Sequence, residues 1–195
     1  MMLVLGILGS PRQGGNTEIL LDEALGGAGR AGAAVEKLRL SDLDMSGCIE
    51  CEECYATGRC SIEDGMAKVY DALERADRIL LASPIFFMGL PSQAKAMIDR
   101  TQCYWSLKYL LKEGFPARCH ETRYGSFIGV GATRGERLFD GSILTLKYFF
   151  DAIDVKPLRD SYLLVRGVDE KGEVREKGDV LERAAALGKL LATEG

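Results

Sequence analysis

The chain has 195 residues, 47% hydrophobic and 28% charged, which suits one domain with a full core and excludes a disordered or fibrous chain. Lys and Arg number 25 against 29 Asp and Glu, a net charge of −4, which argues against the non-specific nucleic-acid binding that needs many phosphate-neutralising cations. No stretch approaches the roughly 18 apolar residues of a membrane span. The opening MMLVLGILGSPRQ lacks a basic flank and its apolar run stops at Gly9. It reads as a buried strand rather than a leader, and the expected location is the cytoplasm.

Strand and helix patterns alternate along the chain. Residues 2–8 form a continuous apolar run, as in a parallel strand buried on both faces. Asn16 or Thr17 can cap the helix that follows, with Leu20, Leu21, Ala24, Leu25 and Ala28 as its apolar face. Residues 34–40 read as a second strand, after which a cysteine-rich segment interrupts the pattern. Asp64 can cap a second helix carrying Met66, Val69, Tyr70, Leu73 and Ala76 on one face. Residues 78–83 are a third strand. Pro91 suits the first turn of a third helix, with Ala94, Met97, Ile98, Thr101 and Trp105 on one stripe. A fourth strand is expected at 124–131 and a fourth helix from Phe139 through Ile153. A fifth strand lies within 155–165, from 161 onward, and the last helix carries Val180, Leu181, Ala184, Leu187, Gly188 and Leu191. The expected fold class is α/β, a doubly wound five-stranded parallel sheet of order 2-1-3-4-5 with helices on both faces. In that order ligands bind beyond the carboxyl ends of the strands at the switch point, so the loops after strands one, three and four matter most.

The first of these is GSPRQGGNT, residues 9–17. It has neither the Gly-Lys-Ser/Thr ending of a P-loop nor a Gly-x-Gly-x-x-Gly fingerprint. It offers hydroxyls from Ser10 and Thr17, amides from Gln13 and Asn16, and a cation from Arg12, while Gly14 and Gly15 let the backbone curl. A phosphate at this helix N-terminus would meet those donors and the positive end of the dipole; the alternative is a solvated turn with good capping chemistry. The second is SPIFFMGLPSQAKAMIDR, residues 83–100, where Ile85, Phe86, Phe87 and Met88 follow a strand end. Apolar side chains in a loop call for a partner, whether a flat aromatic ligand, another subunit or the chain's own core. The third is GATRGE, residues 131–136, whose amides, Thr133 and Arg134 can hydrogen-bond the polar edge of a planar ring.

The first two segments resemble the NADPH-dependent FMN reductase group of the flavodoxin-like superfamily. The resemblance implies that Ser10, Arg12, Gln13, Gly14, Asn16 and Thr17 serve the FMN phosphate. It places Pro84, Ile85, Phe86, Phe87 and Gly89 along the flavin, and Thr133, Arg134 and Gly135 at its other edge. Where this chain has Phe86 the group usually has Tyr, so a hydroxyl contact is lost. Lys95 and Asp99 match recurring positions of the group and are read as structural or interfacial.

The cysteine segment is SGCIECEECYATGRC, residues 46–60, with Cys48, Cys51, Cys54 and Cys60 in a C-x2-C-x2-C-x5-C pattern. Two-residue gaps let a short loop curl its sulfurs around one centre, and Gly58 eases the turn that brings in the fourth. Such a thiolate set suits an iron–sulfur cluster or zinc, with free or disulfide-bonded thiols as the bland alternative. Glu50, Glu52 and Glu53 beside it would lower a cluster's potential, or simply face solvent. Cys103 and Cys119 are read as packing thiols, and His120 receives no role.

This pattern is similar to the compact motif of the iron–sulfur flavoproteins, a branch of the same group. That resemblance implies a [4Fe–4S] cluster exchanging electrons with FMN and a homodimer or homotetramer in which cofactors of neighbouring subunits approach. It also implies an electron carrier such as ferredoxin, or NAD(P)H, as partner. Residues 1–195 are then expected to form one flavodoxin-like FMN-binding domain with a cluster-binding insertion at about 47–62. The alternatives are a cluster-free NAD(P)H-dependent FMN or quinone reductase and a non-enzymatic FMN carrier or zinc-stabilised interaction protein.

Overall fold

The computed structural model describes residues 1–118 and 122–193; Cys119 and His120 lie outside the described residues. The parallel strands β1 (Leu3–Leu8), β2 (Ala34–Arg39), β3 (Arg78–Pro84) and β4 (Arg123–Gly131) stand in the order β2-β1-β3-β4. Two short strands share the last position. β5 (Val155–Pro157) pairs with the start of β4 and β6 (Leu163–Arg166) with its end. The arrangement is the doubly wound, flavodoxin-like order expected from the sequence.

The fifth expected strand thus becomes two. Pro157 sits opposite Gly125 with its nitrogen on the open edge, the ladder runs on through the Leu158 N–H to Gly125 O at 2.8 Å, and the chain then leaves it through a 3-10 turn at Arg159–Ser161. The Ser161 hydroxyl donates to Leu158 O at 2.6 Å within that turn.

Successive strand residues point to opposite faces, which explains the apolar runs. Leu5, Ile7, Ile79, Leu81 and Phe127 face one core with α3 (Met66–Arg75), α4 (Ser92–Arg100), α5 (Gln102–Ser106) and α6 (Asp140–Ala152). Val4, Leu8, Leu80, Ala82 and Ile128 face the other with α1 (Asn16–Arg30) and α7 (Val180–Thr193). α2 (Glu53–Thr57) is a short turn inside the cysteine segment. α1 and α7 approach so closely that a Cβ at Gly27 would lie 2.0 Å from Ala185 O, and one at Gly188 would lie 1.7 Å from Ala24 O. Only glycine fits that seam.

The third expected helix ends early. The Thr101 hydroxyl donates to Ile98 O at 2.6 Å, competing with the helical ladder. The helix stops at Arg100, restarts as α5 and widens into a π-helical turn at Leu107–Leu111. At α3 the cap residue is Gly65, without a side-chain cap, and Asp64, one residue earlier, accepts the Met66 N–H at 2.9 Å. At α1 the cap residue is Gly15, without a side-chain cap, and Asn16 is the first helical residue.

The amino edge of the sheet is closed by two buried arginines. Arg78 donates to Leu191 O and Thr122 O, and Arg123 to Leu73 O, Ala76 O and Ile153 O. They satisfy carbonyls near the C-termini of α3, α6 and α7, where a cation is favoured. Among the described residues no helix is long and apolar enough to cross a membrane.

Candidate functional site

Three loops leave the carboxyl edge. After β1, a turn from Arg12 to Gly15 closes by the Gly15 N–H to Arg12 O bond at 3.2 Å, with Gly14 at φ +61. Ser10 and Thr17 are buried, and Ser10 Oγ accepts the Arg12 N–H at 3.3 Å. Arg12 and Gln13 are exposed, and Arg12 Nη1 donates to Asp169 O at 3.0 Å. Asn16 is buried and largely engaged: its Oδ1 accepts from Gly172 and Val174 N–H, and its Nδ2 donates to Glu170 O. The Gly14 N–H donates at 2.6 Å to Glu18, which also pairs with Lys37 and Arg39. Burial works to raise the Glu18 pKa, but the bonds from Arg39, Lys37 and Gly14 outweigh it and hold the carboxyl at about 2.

The loop after β3 is a two-residue turn. Phe86 and Gly89 exchange both backbone hydrogen bonds, at 2.9 and 3.0 Å, while Phe87 (φ 48) and Met88 (φ 64) occupy the left-handed region. This is the geometry of a type I′ turn, which ordinarily takes Asn-Gly. Two bulky residues there are strained by roughly 1–2 kcal/mol each. Phe87 is fully exposed, and Phe86 and Met88 are half exposed. Pro84 and Ile85 are half-buried, and Ile85 N–H still reaches Val130 O. After β4, Thr133, Arg134 and Gly135 are exposed. Arg166 pins this loop by donating to Gly135 O and Glu136 O, with its guanidinium over the Phe139 ring at 4.8 Å. The structure therefore brings the three expected loops to one edge, with Asn16 turned toward the 170–174 turn.

A cleft of about 610 Å³ lies between the cysteine segment, α4, α5 and α6. Cys48, Cys51, Cys54 and Cys60 all line it, together with Cys103. Cys48 and Cys51 are exposed, Cys54 and Cys60 half-buried, and Cys103 buried. Gly58 is required in this turn, since its φ is +66 and a Cβ would fall 2.2 Å from Leu107 Cδ2. The Ser61 hydroxyl lies 3.4 Å from Cys51 Sγ and pulls that thiol's pKa down. Burial pushes Cys54 up, against the Ser106 hydroxyl 3.6 Å from its sulfur. Burial raises Cys103 to about 12, in keeping with a packing thiol.

Arg100 is the residue that reading the sequence missed. Its guanidinium donates to Cys60 Sγ (3.2 Å), Ser46 O (3.1 Å), Ile62 O (3.0 Å) and both oxygens of Asp64 (2.8 and 3.2 Å). Burial alone would raise the Asp64 pKa, but Arg100 and the N–H groups of Ser46 and Met66 hold it at about 2. The available signal was position: Arg100 stands three residues after Met97, on the buried side of α4. Lys95 and Asp99, at the cleft mouth, form an exposed ion pair at 2.6 Å.

The donor chemistry of four thiols on one cleft, supplied with N–H and O–H partners, fits a thiolate-held centre. The sulfurs do not converge: among the described residues no three His, Cys, Asp or Glu side chains are grouped to hold a metal ion. The exposed apolar turn and the polar loops beside it fit a flat ring bearing a phosphate tail.

Ligand loops at the carboxyl edge of a doubly wound sheet define a flavodoxin-like α/β protein. Residues 2–165 match the NADPH-dependent FMN reductase family, and the chain belongs to that family, in its iron–sulfur flavoprotein branch. An iron–sulfur flavoprotein of Methanocaldococcus jannaschii is 36% identical over 133 residues, 68% of this chain and 64% of that protein. One from Archaeoglobus fulgidus is 31% identical over 145 residues, 73% of this chain and 70% of its own length. The chain thus spans just under two thirds of the Methanocaldococcus relative. Among solved structures, an NAD(P)H:quinone oxidoreductase from Methanothermobacter marburgensis superposes with a TM-score of 0.70 at 16% identity. The superposition covers 100% of this chain and 98% of that one, a likeness of fold.

Proposed function

We propose that the chain is an FMN-dependent oxidoreductase of the cytoplasm whose cysteine segment, about 47–62, holds a [4Fe–4S] cluster within one FMN-binding domain. The observation that carries this reading is that the four cysteines line a cleft walled by α4 and α6, the helices that follow the second and third flavin loops. α4 has 9 residues, so about 13 Å of helix leads from the flavin loop to Arg100 at the cysteine segment.

FMN supplies one- and two-electron chemistry, and a [4Fe–4S] cluster supplies single-electron transfer. The chain's part is binding and environment. Arg12, Gln13 and the positive end of α1 receive the phosphate. Ile85, Phe86 and Phe87 cover the ring, and Thr133, Arg134 and the Gly135 amide meet its polar edge. Cys48, Cys51, Cys54 and Cys60 are the ligands. Glu50, Glu52 and Glu53 add negative charge, which disfavours reduction, and the Arg100 cation beside Cys60 opposes that effect. The exposed Leu144 and Tyr148 suit a homodimer or homotetramer contact. Ferredoxin or NAD(P)H is the electron partner.

The unconverged sulfurs favour a second reading, a cluster-free NAD(P)H-dependent FMN or quinone reductase. Anaerobic reconstitution of wild type and Cys54→Ser, with iron, sulfide, zinc and flavin analysis, separates the two. The cluster reading expects iron and sulfide in wild type, their loss in Cys54→Ser, and flavin in both. Near-zero iron and sulfide in wild type would sink it.

A further inference from the structure

Arg100 ends α4 with a side chain that has no solvent exposure. A guanidinium carries five N–H donors in a fixed plane, and here they reach five acceptor atoms on the cysteine segment and its margins. Ser46 lies two residues before Cys48, and Ile62 two residues after Cys60. One rigid fork therefore ties both ends of the segment and its last sulfur together, while Asp64 balances the charge. Burying an arginine is costly unless it is fully paired, and an apolar residue at this position would extend the Met97 stripe more simply.

The four sulfurs stand in two classes. Cys60 is held by Arg100, and Cys54 is half-buried against Ser106. Cys48 and Cys51 are exposed, in a stretch where Glu50 and Glu52 take left-handed φ values of 56 and 63. None of these contacts needs a metal.

We infer that Arg100 is a positioning residue that keeps the cysteine segment folded independently of metal. It fixes Cys60 beside Cys54, which Ser106 and burial hold, and Cys48 and Cys51 close over whatever docks there. That the docking group is a cluster rests on the function proposed above; the latch itself does not.

The test is iodoacetamide alkylation of the reduced, metal-free full chain, read cysteine by cysteine by mass spectrometry. In wild type, Cys48 and Cys51 react at least tenfold faster than Cys54 and Cys60. In Arg100→Met the Cys60 rate rises at least tenfold and the 46–64 segment becomes protease-sensitive, while buried Cys103 stays protected. Arg100→Lys, which restores the charge and some donors, returns part of the Cys60 protection. After anaerobic reconstitution, Arg100→Lys shifts the midpoint potential less than Arg100→Met does, the latter moving to more negative values. Should Arg100→Met not fold, Asp64→Asn gives a smaller rise at Cys60. Cys60 alkylating at the wild-type rate in the folded Arg100 variant, or in Asp64→Asn, overturns the inference. A wild type that takes up no iron yet loses Cys60 protection on Arg100 substitution removes the cluster reading and keeps the latch. Iron uptake with unchanged Cys60 reactivity does the reverse.

Discussion

Substituting Gln for Glu18 removes one negative charge from the first turn of α1 and leaves its shape. The amide oxygen can still accept the Gly14 N–H, so the β1–α1 loop keeps its turn. What is lost is attraction to Lys37, 2.7 Å away, and to Arg39. The folded carboxyl titrates at about 2 against an ordinary value of 4.5. At 1.36 kcal/mol per pH unit, that difference contributes about 3 kcal/mol. Because the folded pKa is depressed, the stabilisation is complete above pH 4.5 and lost as pH falls through 2. Urea denaturation of both proteins at pH 7 and pH 3 should show a gap of about 3 kcal/mol at the higher pH and about half of that at the lower. A gap below about 1 kcal/mol at pH 7, or one that does not change with pH, refutes the assignment.

Two further outcomes bear on the flavin edge. Arg12→Ala removes an exposed guanidinium whose bond to Asp169 O still leaves N–H groups for a phosphate. FMN affinity should fall by about 1.5–3 kcal/mol in a fluorescence titration, and unchanged affinity would place the phosphate elsewhere. Phe87→Gly relieves a strained turn position while deleting an exposed ring. The thermal midpoint should hold or rise while FMN dissociates faster in stopped-flow, and unaltered flavin release would assign Phe87 to a subunit contact instead.

Much of the fold was legible because strand burial on two faces leaves unbroken apolar runs such as that of β1. The split of the last strand was not legible, since it comes from the Ser161 N–H and hydroxyl turning back onto Leu158 O, a local bond that strand patterning does not reveal. The early stop of α4 was also hard to see, since Ala94, Met97, Ile98, Thr101 and Trp105 keep helical spacing; the side chain of Thr101 bends the path, and Trp105 instead packs near Tyr55 and Tyr109. The loops of the candidate site could be found from their place after strands. The Arg100–Asp64 pair could not, because its members are 36 residues apart and each also suits a surface helix. Asn16 illustrates the same limit: its local chemistry suggested a cap or a ligand contact, but the acceptors and donors that engage it lie at 170, 172 and 174.

Those long-range bonds bear on how the chain is made. Arg12 and Asn16 are joined to partners 154–158 positions downstream, and α1 meets α7 at glycines 27 and 188. On the ribosome, the buried flank of α1 stays wet until α7 has emerged, and the loop that precedes α1 has only its local bonds until residues 169–174 have. Contacts of such separation form late because loop closure must come first. The β1–α1 loop therefore reaches its final set of hydrogen bonds only after the 169–174 turn has been made, however early the loop itself leaves the ribosome.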